Sequence, residues 1–277
     1  PPMQIYNPIT YSWENNPKGK YAYGATCVKN CPEHLLKDNG ACVRACPPHK
    51  KAHEGACVPC DGPCPKTCTS DTSINSGNID SFKGCTVIEG DIMILQNTFD
   101  GFQHIYPNYT FGERYTQMDP DRLEVFSTLK EITGHINIQA YHEKFTNLSY
   151  FRNLEVIGGR SLHEYFTSLY IVKTSLRSLE LRSLRRLNAG TVAILENKHL
   201  CFAEGINWNK IRKTRENVLM LSNNNDPKEC EKAGLVCDSE CSSDGCWGSG
   251  PEQCLSCAHF QLDIEGRCIA NCSVLPG

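Results

Sequence analysis

Cysteine is the residue best placed to do chemistry in this 277-residue chain, which holds 18 of them. Reduced thiols at that density would oxidise and mispair in the cytosol, so an oxidising compartment is expected. The run Cys57, Cys60, Cys64, Cys68 raises zinc as the competing chemistry, because Cys-x2-Cys is also how thiolates reach a tetrahedral metal. The sequence has no paired knuckles at zinc spacing. It does have three sequons, Asn108-Tyr109-Thr110, Asn147-Leu148-Ser149 and Asn271-Cys272-Ser273, which are acceptors only on the secretory route. Disulfides, an extracellular setting, and neither metal nor cofactor are therefore expected.

Other chemistry finds no footing. His142-Glu143 and His163-Glu164 lack the second histidine of H-E-x-x-H, and no nucleophile elbow, P-loop or dinucleotide fingerprint occurs. The glycines from Gly245 to Gly250 sit among disulfide cysteines instead of between a strand and a helix. No catalytic residue is assigned, and the chain reads as a protein-binding module, not an enzyme. With 28 Lys and Arg against 31 Asp and Glu, the net charge of −3 calls for no nucleic acid. The chain opens on Pro1-Pro2 without a signal peptide, and no apolar run approaches the roughly 18 to 20 residues of a membrane span. It is read as a piece of a larger protein, attached to a membrane only through a segment absent here.

The elements that must position a binding surface follow from the cysteine gaps. Nine cysteines lie from Cys27 to Cys85, none from Thr86 to Leu200, two at Cys201 and Cys230, and seven from Cys237 to Cys272. The first rich segment has turn formers at Pro47-Pro48 and Gly62-Pro63 and few large apolar residues, so crosslinks must replace a core. The central segment carries strand-length runs at 91–95, 135–139, 169–173, 191–195 and 218–222. Their steps of about 44, 34, 22 and 27 residues, punctuated by leucines, fit a solenoid better than a β-sandwich, whose turns come every ~8 to 12 residues. The expected fold is mainly β: a right-handed, leucine-rich β-helix flanked by two disulfide-rich, core-poor modules. Alternation puts Ile92, Ile94, Ile136, Ile138, Leu169, Ile171, Val192, Ile194, Val218 and Met220 inside. It puts Met93, Leu95, Asn137, Gln139, Tyr170, Val172, Ala193, Leu195, Leu219 and Leu221 outside. That outer set is too apolar for a solvated sheet, so something covers it, whether a partner or a neighbouring part of the same protein.

Phrases along the whole chain resemble one family. They are Tyr6-Asn7-Pro8-Ile9-Thr10-Tyr11, Gly24-Ala25-Thr26-Cys27, Cys42-Val43-Arg44-Ala45-Cys46, Lys130-Glu131-Ile132-Thr133-Gly134, Ile206-Asn207-Trp208 and Gly245-Cys246-Trp247-Gly248. In this order they resemble the epidermal growth factor receptor family from the dimerisation arm onward. Arg122 to Thr128, Asn78 to Phe82 and Asp38 to Cys42 resemble its arthropod members in particular. The resemblance implies residues 1–68 as the later part of the second domain, 69–236 as the ligand-binding third domain, and 237–277 as the start of the fourth. It implies disulfides Cys31–Cys42, Cys46–Cys57, Cys60–Cys64, Cys68–Cys85, Cys201–Cys230, Cys237–Cys246, Cys241–Cys254 and Cys257–Cys268. Cys27 and Cys272 would then pair beyond the ends of this piece.

The resemblance also implies partners: an EGF-like growth factor and a second receptor copy, with a tyrosine kinase elsewhere in the full chain. Growth-factor contacts fall on Met93, Gln139, Val172, Ala193, Leu195, Leu219 and Leu221, with His163 and Phe166 alongside. The acidic partner of a ligand arginine corresponds to Asp100, although the loop that follows is longer than the family's. The arm tip is Tyr6, Asn7, Pro8, Thr10 and Tyr11, and its docking surface Tyr23, Gly24, Ala25 and Arg44. A plainer reading has Trp13, Tyr21 and Tyr23 packing on one another across a turn at Asn15 to Gly19. The other function class that fits is a secreted decoy or structural matrix module.

Overall fold

The computed structural model describes residues 4–62, 64–108, 114–213 and 218–274. The chain divides into two compact units between Pro65 and Lys66.

The first unit is a series of hairpins. Gln4–Asn7 pairs antiparallel with Ser12–Asn15, Tyr21–Tyr23 with Thr26–Val28, Leu36–Asp38 with Ala41–Val43, and Lys50–His53 with Ala56–Pro59. The last two turn through Asn39-Gly40 and Glu54-Gly55, all four residues in the left-handed region that right-twisted hairpins require. Leu35 is the only buried hydrophobic residue among the described residues of this unit. Disulfides Cys31–Cys42, Cys46–Cys57 and Cys60–Cys64 hold the hairpins where a core would otherwise have to.

The second unit is built on ten strands in two parallel sheets. In chain order they are β1 (Thr67–Ser70), β2 (Val87–Gly90), β3 (Ile92–Leu95), β4 (Glu131–Ile132), β5 (Ile136–Gln139), β6 (Val156–Ile157), β7 (Thr167–Val172), β8 (Arg186–Leu187), β9 (Thr191–Leu195) and β10 (Leu219–Ser222). One sheet runs β8-β6-β4-β2-β1 and the other β3-β5-β7-β9-β10, so from β2 to β9 the chain alternates between them. Gly90, at the corner between β2 and β3, shows why: its φ is +117°, and a Cβ there would overlap the Ser70 carbonyl. Because β1 pairs with β2 residue by residue from Thr67 to Ser70, Cys68 and its partner Cys85 belong to this unit.

Parallel register stacks like on like. Ile92, Ile136, Leu169 and Val192 form one buried row, Ile94, Ile138, Ile171 and Ile194 a second, and Ile88, Ile132, Ile157 and Leu187 a third in the other sheet. Leu123, Leu148, Leu154, Leu176, Leu179 and Leu184 complete the core with Phe126 and Phe151, whose rings lie 5.1 Å apart.

One strand departs from the expected alternation. β10 pairs Leu219 with Val192, Met220 with Ala193 and Leu221 with Ile194, so Leu219 and Leu221 take the inward parity and Met220 the outward one. Leu221 packs against the core, whereas Val218 and Met220, expected inside, are exposed. A slip of one residue exchanges the two faces of a strand, and the unbroken apolar run Val218 to Leu221 gives alternation nothing with which to choose.

The last segment is stapled by Cys237–Cys246, Cys241–Cys254 and Cys257–Cys268. It inserts Trp247 fully buried and edge-on to Trp208, with ring centroids 5.6 Å apart. Asp244 accepts bonds from Lys210, Asn207 (2.9 Å) and Ser256 (2.7 Å), tying this segment to the sheet-bearing core. Lys210 foremost, then Asn207 and Ser256, hold the Asp244 carboxyl well below the usual carboxylate range.

Candidate binding face and pairing arm

Outward-facing residues of the second sheet form a continuous surface. Met93, Leu95, Gln139, Tyr170 and Leu195 are half-buried, and Met220 is 38% exposed at the edge. Val172, at 8% exposure, and Ala193 lie lower in it. Ala193 stands between Tyr170 and Met220 in the register, and these larger neighbours shade its methyl group. Asn137 is buried because Gln139 donates to its carbonyl (2.9 Å) and His163 meets its amide (3.4 Å).

His163 also sets the upper rim. Its ring lies 4.3 Å from Tyr170, on the outward side of the sheet, and anchors a tight turn over Glu164 and Tyr165 that ends on half-exposed Phe166. Beneath this turn His135 is buried, with Nδ1 2.9 Å from Asp91, which also accepts from Ser161 and from the His135 amide. Burial pushes the His135 imidazole below its ordinary value, against the pull of the Asp91 carboxylate. At the opposite rim a groove of about 570 Å³ is lined by Tyr141, Lys173, Thr174, Glu196, Lys198 and Asn223, with Lys173 and Glu196 paired at 3.4 Å.

Asp100 ends the short helix Gln96–Asp100, where Gln96 Nε2 donates to its carboxylate (2.9 Å) and to the Tyr141 carbonyl (3.0 Å). It is therefore linked through Gln96 to Tyr141, which lines the groove, and does not stand on the sheet. Met93, Gln139, Val172, Ala193 and Leu195 share the outward face, with His163 and Phe166 beside it, whereas Leu219 and Leu221 face the other way. Met220 and Ser222 hold their places on the surface, which only the register of β10 reveals.

In the first unit, Asn7 caps the turn at 8–11. Its Oδ1 accepts from the Ile9 amide (2.9 Å) and its Nδ2 donates to Glu14 (2.9 Å), which also accepts from Thr10 (2.7 Å). These two donors, Thr10 first, lower the Glu14 pKa. The tip presents Ile9 and Tyr11 almost bare, Tyr11 at 82% exposure in the left-handed region. Tyr6 and Trp13 meet edge to face across the hairpin at 5.6 Å, so the partner of Trp13 is Tyr6. The hairpin turns at 8–11 instead of at Asn15 to Gly19. Tyr23, Gly24, Ala25 and Arg44 are exposed on the neighbouring hairpins, Gly24 in the left-handed region at the turn into Thr26–Val28.

All eight disulfides described above bring together cysteines at Cα separations of 5.0 to 5.9 Å. Cys27 and Cys272 are free and exposed. Asn108 and Asn271 are exposed; Asn147 is half-buried, its Oδ1 accepting from the Ser149 amide at 3.0 Å. Thr110 of the first sequon lies outside the described residues. Among the described residues no cluster suited to a metal ion occurs.

Three family models match in succession: a furin-like cysteine rich region over residues 6–69, a receptor L domain over 84–212, and growth factor receptor domain IV over 236–277. The chain is 67% identical, over its whole length, to the epidermal growth factor receptor of Apis mellifera, and 58% identical over 99% of its length to that of Drosophila melanogaster. This chain is an ectodomain segment of the epidermal growth factor receptor family. The human receptor tyrosine-protein kinase erbB-4 is 38% identical over the whole chain. The chain spans about a fifth of each of these relatives, 21%, 19% and 21% respectively. Its modules are extracellular ones and carry no kinase, and its disulfides accord with that setting.

Proposed function

We propose that this segment captures an EGF-like growth factor on the outward face of the β3-β5-β7-β9-β10 sheet and pairs with a second receptor copy through the Gln4–Asn15 hairpin. The observation that carries the first part is the apolar stripe formed by the adjacent rungs Val172–Leu195 and Tyr170–Ala193–Met220 on neighbouring strands of a family ectodomain. Such a stripe binds by desolvation with few ionic contacts, so affinity depends little on salt. Gln139 and Phe166 border it, and the Asp100 carboxylate, off the sheet, is already engaged by Gln96.

Pairing rests on Tyr6, Asn7, Pro8, Thr10 and Tyr11 at the tip and Tyr23, Gly24, Ala25 and Arg44 at the base, meeting their counterparts as an isologous contact. Bare aromatics on a unit without a core of its own support it. We further infer that the two parallel sheets are walls of one right-handed, leucine-rich β-helix, that the domains run 1–68, 69–236 and 237–277, the first boundary falling inside strand β1 of the second unit, and that the complete protein carries a tyrosine kinase. A matrix or decoy role has no observation in its favour. Titrating the complete ectodomain with an insect EGF-domain growth factor tests the reading: saturable binding that weakens in the Leu195→Asp variant supports it, and binding untouched by that variant removes the face.

A further inference from the structure

Asn39-Gly40 is the only Asn-Gly pair in the chain, and it forms the two-residue tip of the hairpin between Leu36–Asp38 and Ala41–Val43. Asn39 is exposed, and its side-chain amide has no hydrogen-bond partner among the described residues. The Gly40 N–H donates to nothing among them either, although the Gly40 carbonyl accepts from the Ala22 amide at 2.8 Å. Glycine has no Cβ to screen that nitrogen. Leu35 is the only buried hydrophobic residue described in this unit, so an exposed hairpin tip here opens at little cost. Asn7 and Asn16, which also sit at turns of the unit, differ on both counts. Each accepts a turn amide with its Oδ1, at 2.9 Å, and each precedes a proline, which has no N–H.

We infer that Asn39 is a site of spontaneous conversion to isoaspartate, and that the conversion unties the docking surface at the base of the pairing arm. The Gly40 nitrogen attacks the Asn39 side-chain carbonyl carbon and forms a C–N bond. The side-chain amide nitrogen leaves as ammonia, carrying the Gly40 proton, and a succinimide remains. Water then opens the ring. Opening at the main-chain carbonyl leaves the chain running through the side-chain carbon, which is isoaspartate, and opening at the other carbonyl gives aspartate. Isoaspartate adds a backbone carbon to a loop whose two residues, at φ 46° and 84°, are both left-handed, so the pairing of Asp38 with Ala41 is lost. Either product places a second carboxylate beside Asp38, which already pairs with Lys50 at 2.7 Å. The Gly40 carbonyl moves with the loop and releases Ala22, the centre of the strand Tyr21–Tyr23 that leads into Gly24 and Ala25. This last consequence rests on the proposed pairing role of the arm; the conversion itself does not.

Peptide mapping of the complete ectodomain after incubation at mildly alkaline pH, with isoaspartyl methyltransferase labelling as the probe, tests the chemistry. Asn39 should convert at least about tenfold faster than any other asparagine, because its neighbour alone lacks a side chain. Asn39→His keeps a residue that tolerates left-handed backbone but has no amide to cyclise, so its peptide should carry no label. Conversion at Asn39 no faster than elsewhere overturns the site. Analytical ultracentrifugation of incubated protein should show a shift from dimer toward monomer that the equally incubated Asn39→His variant does not share. Converted protein that dimerises like fresh protein, or an Asn39→His sample that loses dimers equally, overturns the release. The paired variant Tyr6→Ala/Tyr11→Ala distinguishes the two levels. If it abolishes dimers while converted protein keeps them, the release alone fails; if it leaves dimers intact, the arm reading fails and the mapped label still decides the chemistry.

Discussion

Asn197 is fully buried just past the end of β9, and its side-chain amide closes the corner between two strands of the proposed binding face. Its carbonyl accepts from the Thr174 amide (3.0 Å) and hydroxyl (2.7 Å), while its Nδ2 donates to Ile171 O and Asn224 Oδ1, both at 3.0 Å. Asn197→Ala leaves the Thr174 amide, the Thr174 hydroxyl and the Ile171 carbonyl short of a partner where water has no access. At ~1–3 kcal/mol for each buried group so orphaned, with part of the loss recovered by local relaxation, the variant should be less stable by roughly 3–6 kcal/mol. For a domain of this size each kcal/mol lowers Tm by ~2–4 °C, so the melting temperature should fall by roughly 6 to 24 °C. The same corner fixes Val172 and Leu195, so growth-factor affinity should fall with stability. Circular dichroism melts at a fixed scan rate, backed by urea titration, measure the first effect. A loss under about 1 kcal/mol would refute the view that this amide holds the corner.

Further outcomes are expected. Leu221→Asp should destabilise the fold by several kcal/mol, whereas Met220→Asp on the outward parity should leave melting nearly unchanged and weaken growth-factor binding; the reverse order would show that β10 is out of register. Because His135 has a folded pKa below its ordinary 6.5, its neutral state is favoured by folding, so its contribution to stability is complete above that pH and declines as pH falls below it. His135→Gln should flatten that decline in melts between pH 7 and 5, and an unaltered slope would exclude His135 as its source. For Asp244, held low by Lys210, the contribution is present above the ordinary carboxylate value of 3.8 and lost as pH falls below it. Asp244→Asn should lower stability at pH 7, with the difference shrinking in acid, as read by the fluorescence of Trp208 and Trp247. Replacing Tyr6 and Tyr11 by Ala should abolish ectodomain dimerisation in analytical ultracentrifugation, and undiminished dimers would reject the arm.

The strands of the sheet proposed to bind were legible because Ile92-x-Ile94, Ile136-x-Ile138 and Val192-x-Ile194 alternate against differing neighbours, and a parallel stack multiplies that signal. β10 was not, since its apolar residues occupy both parities and only pairing with β9 selects one. Asn137 reads as an outward polar residue, yet it is buried through His163, 26 residues away in sequence, a contact that no local pattern encodes. Tyr165 is hidden for a different reason: left-handed backbone is inferred from glycine, and the sequence has Glu-Tyr where the turn needs it. The cysteine pairs came from family resemblance, because spacing alone leaves a great many connectivities open. Two of the first unit's hairpins beyond the arm turn at Asn39-Gly40 and Glu54-Gly55, signals present in the sequence but overshadowed by its cysteines.

We propose docking of a growth factor on the outward face of the β3-β5-β7-β9-β10 sheet. Its most direct test is calorimetric affinity of the complete ectodomain carrying Val172→Asp and Leu195→Asp, with circular dichroism on the same sample. Two unpaired carboxylates under a desolvated contact should weaken binding by several kcal/mol, on the order of a hundredfold or more, while the β spectrum is retained. Unchanged affinity in a folded double variant would contradict the account.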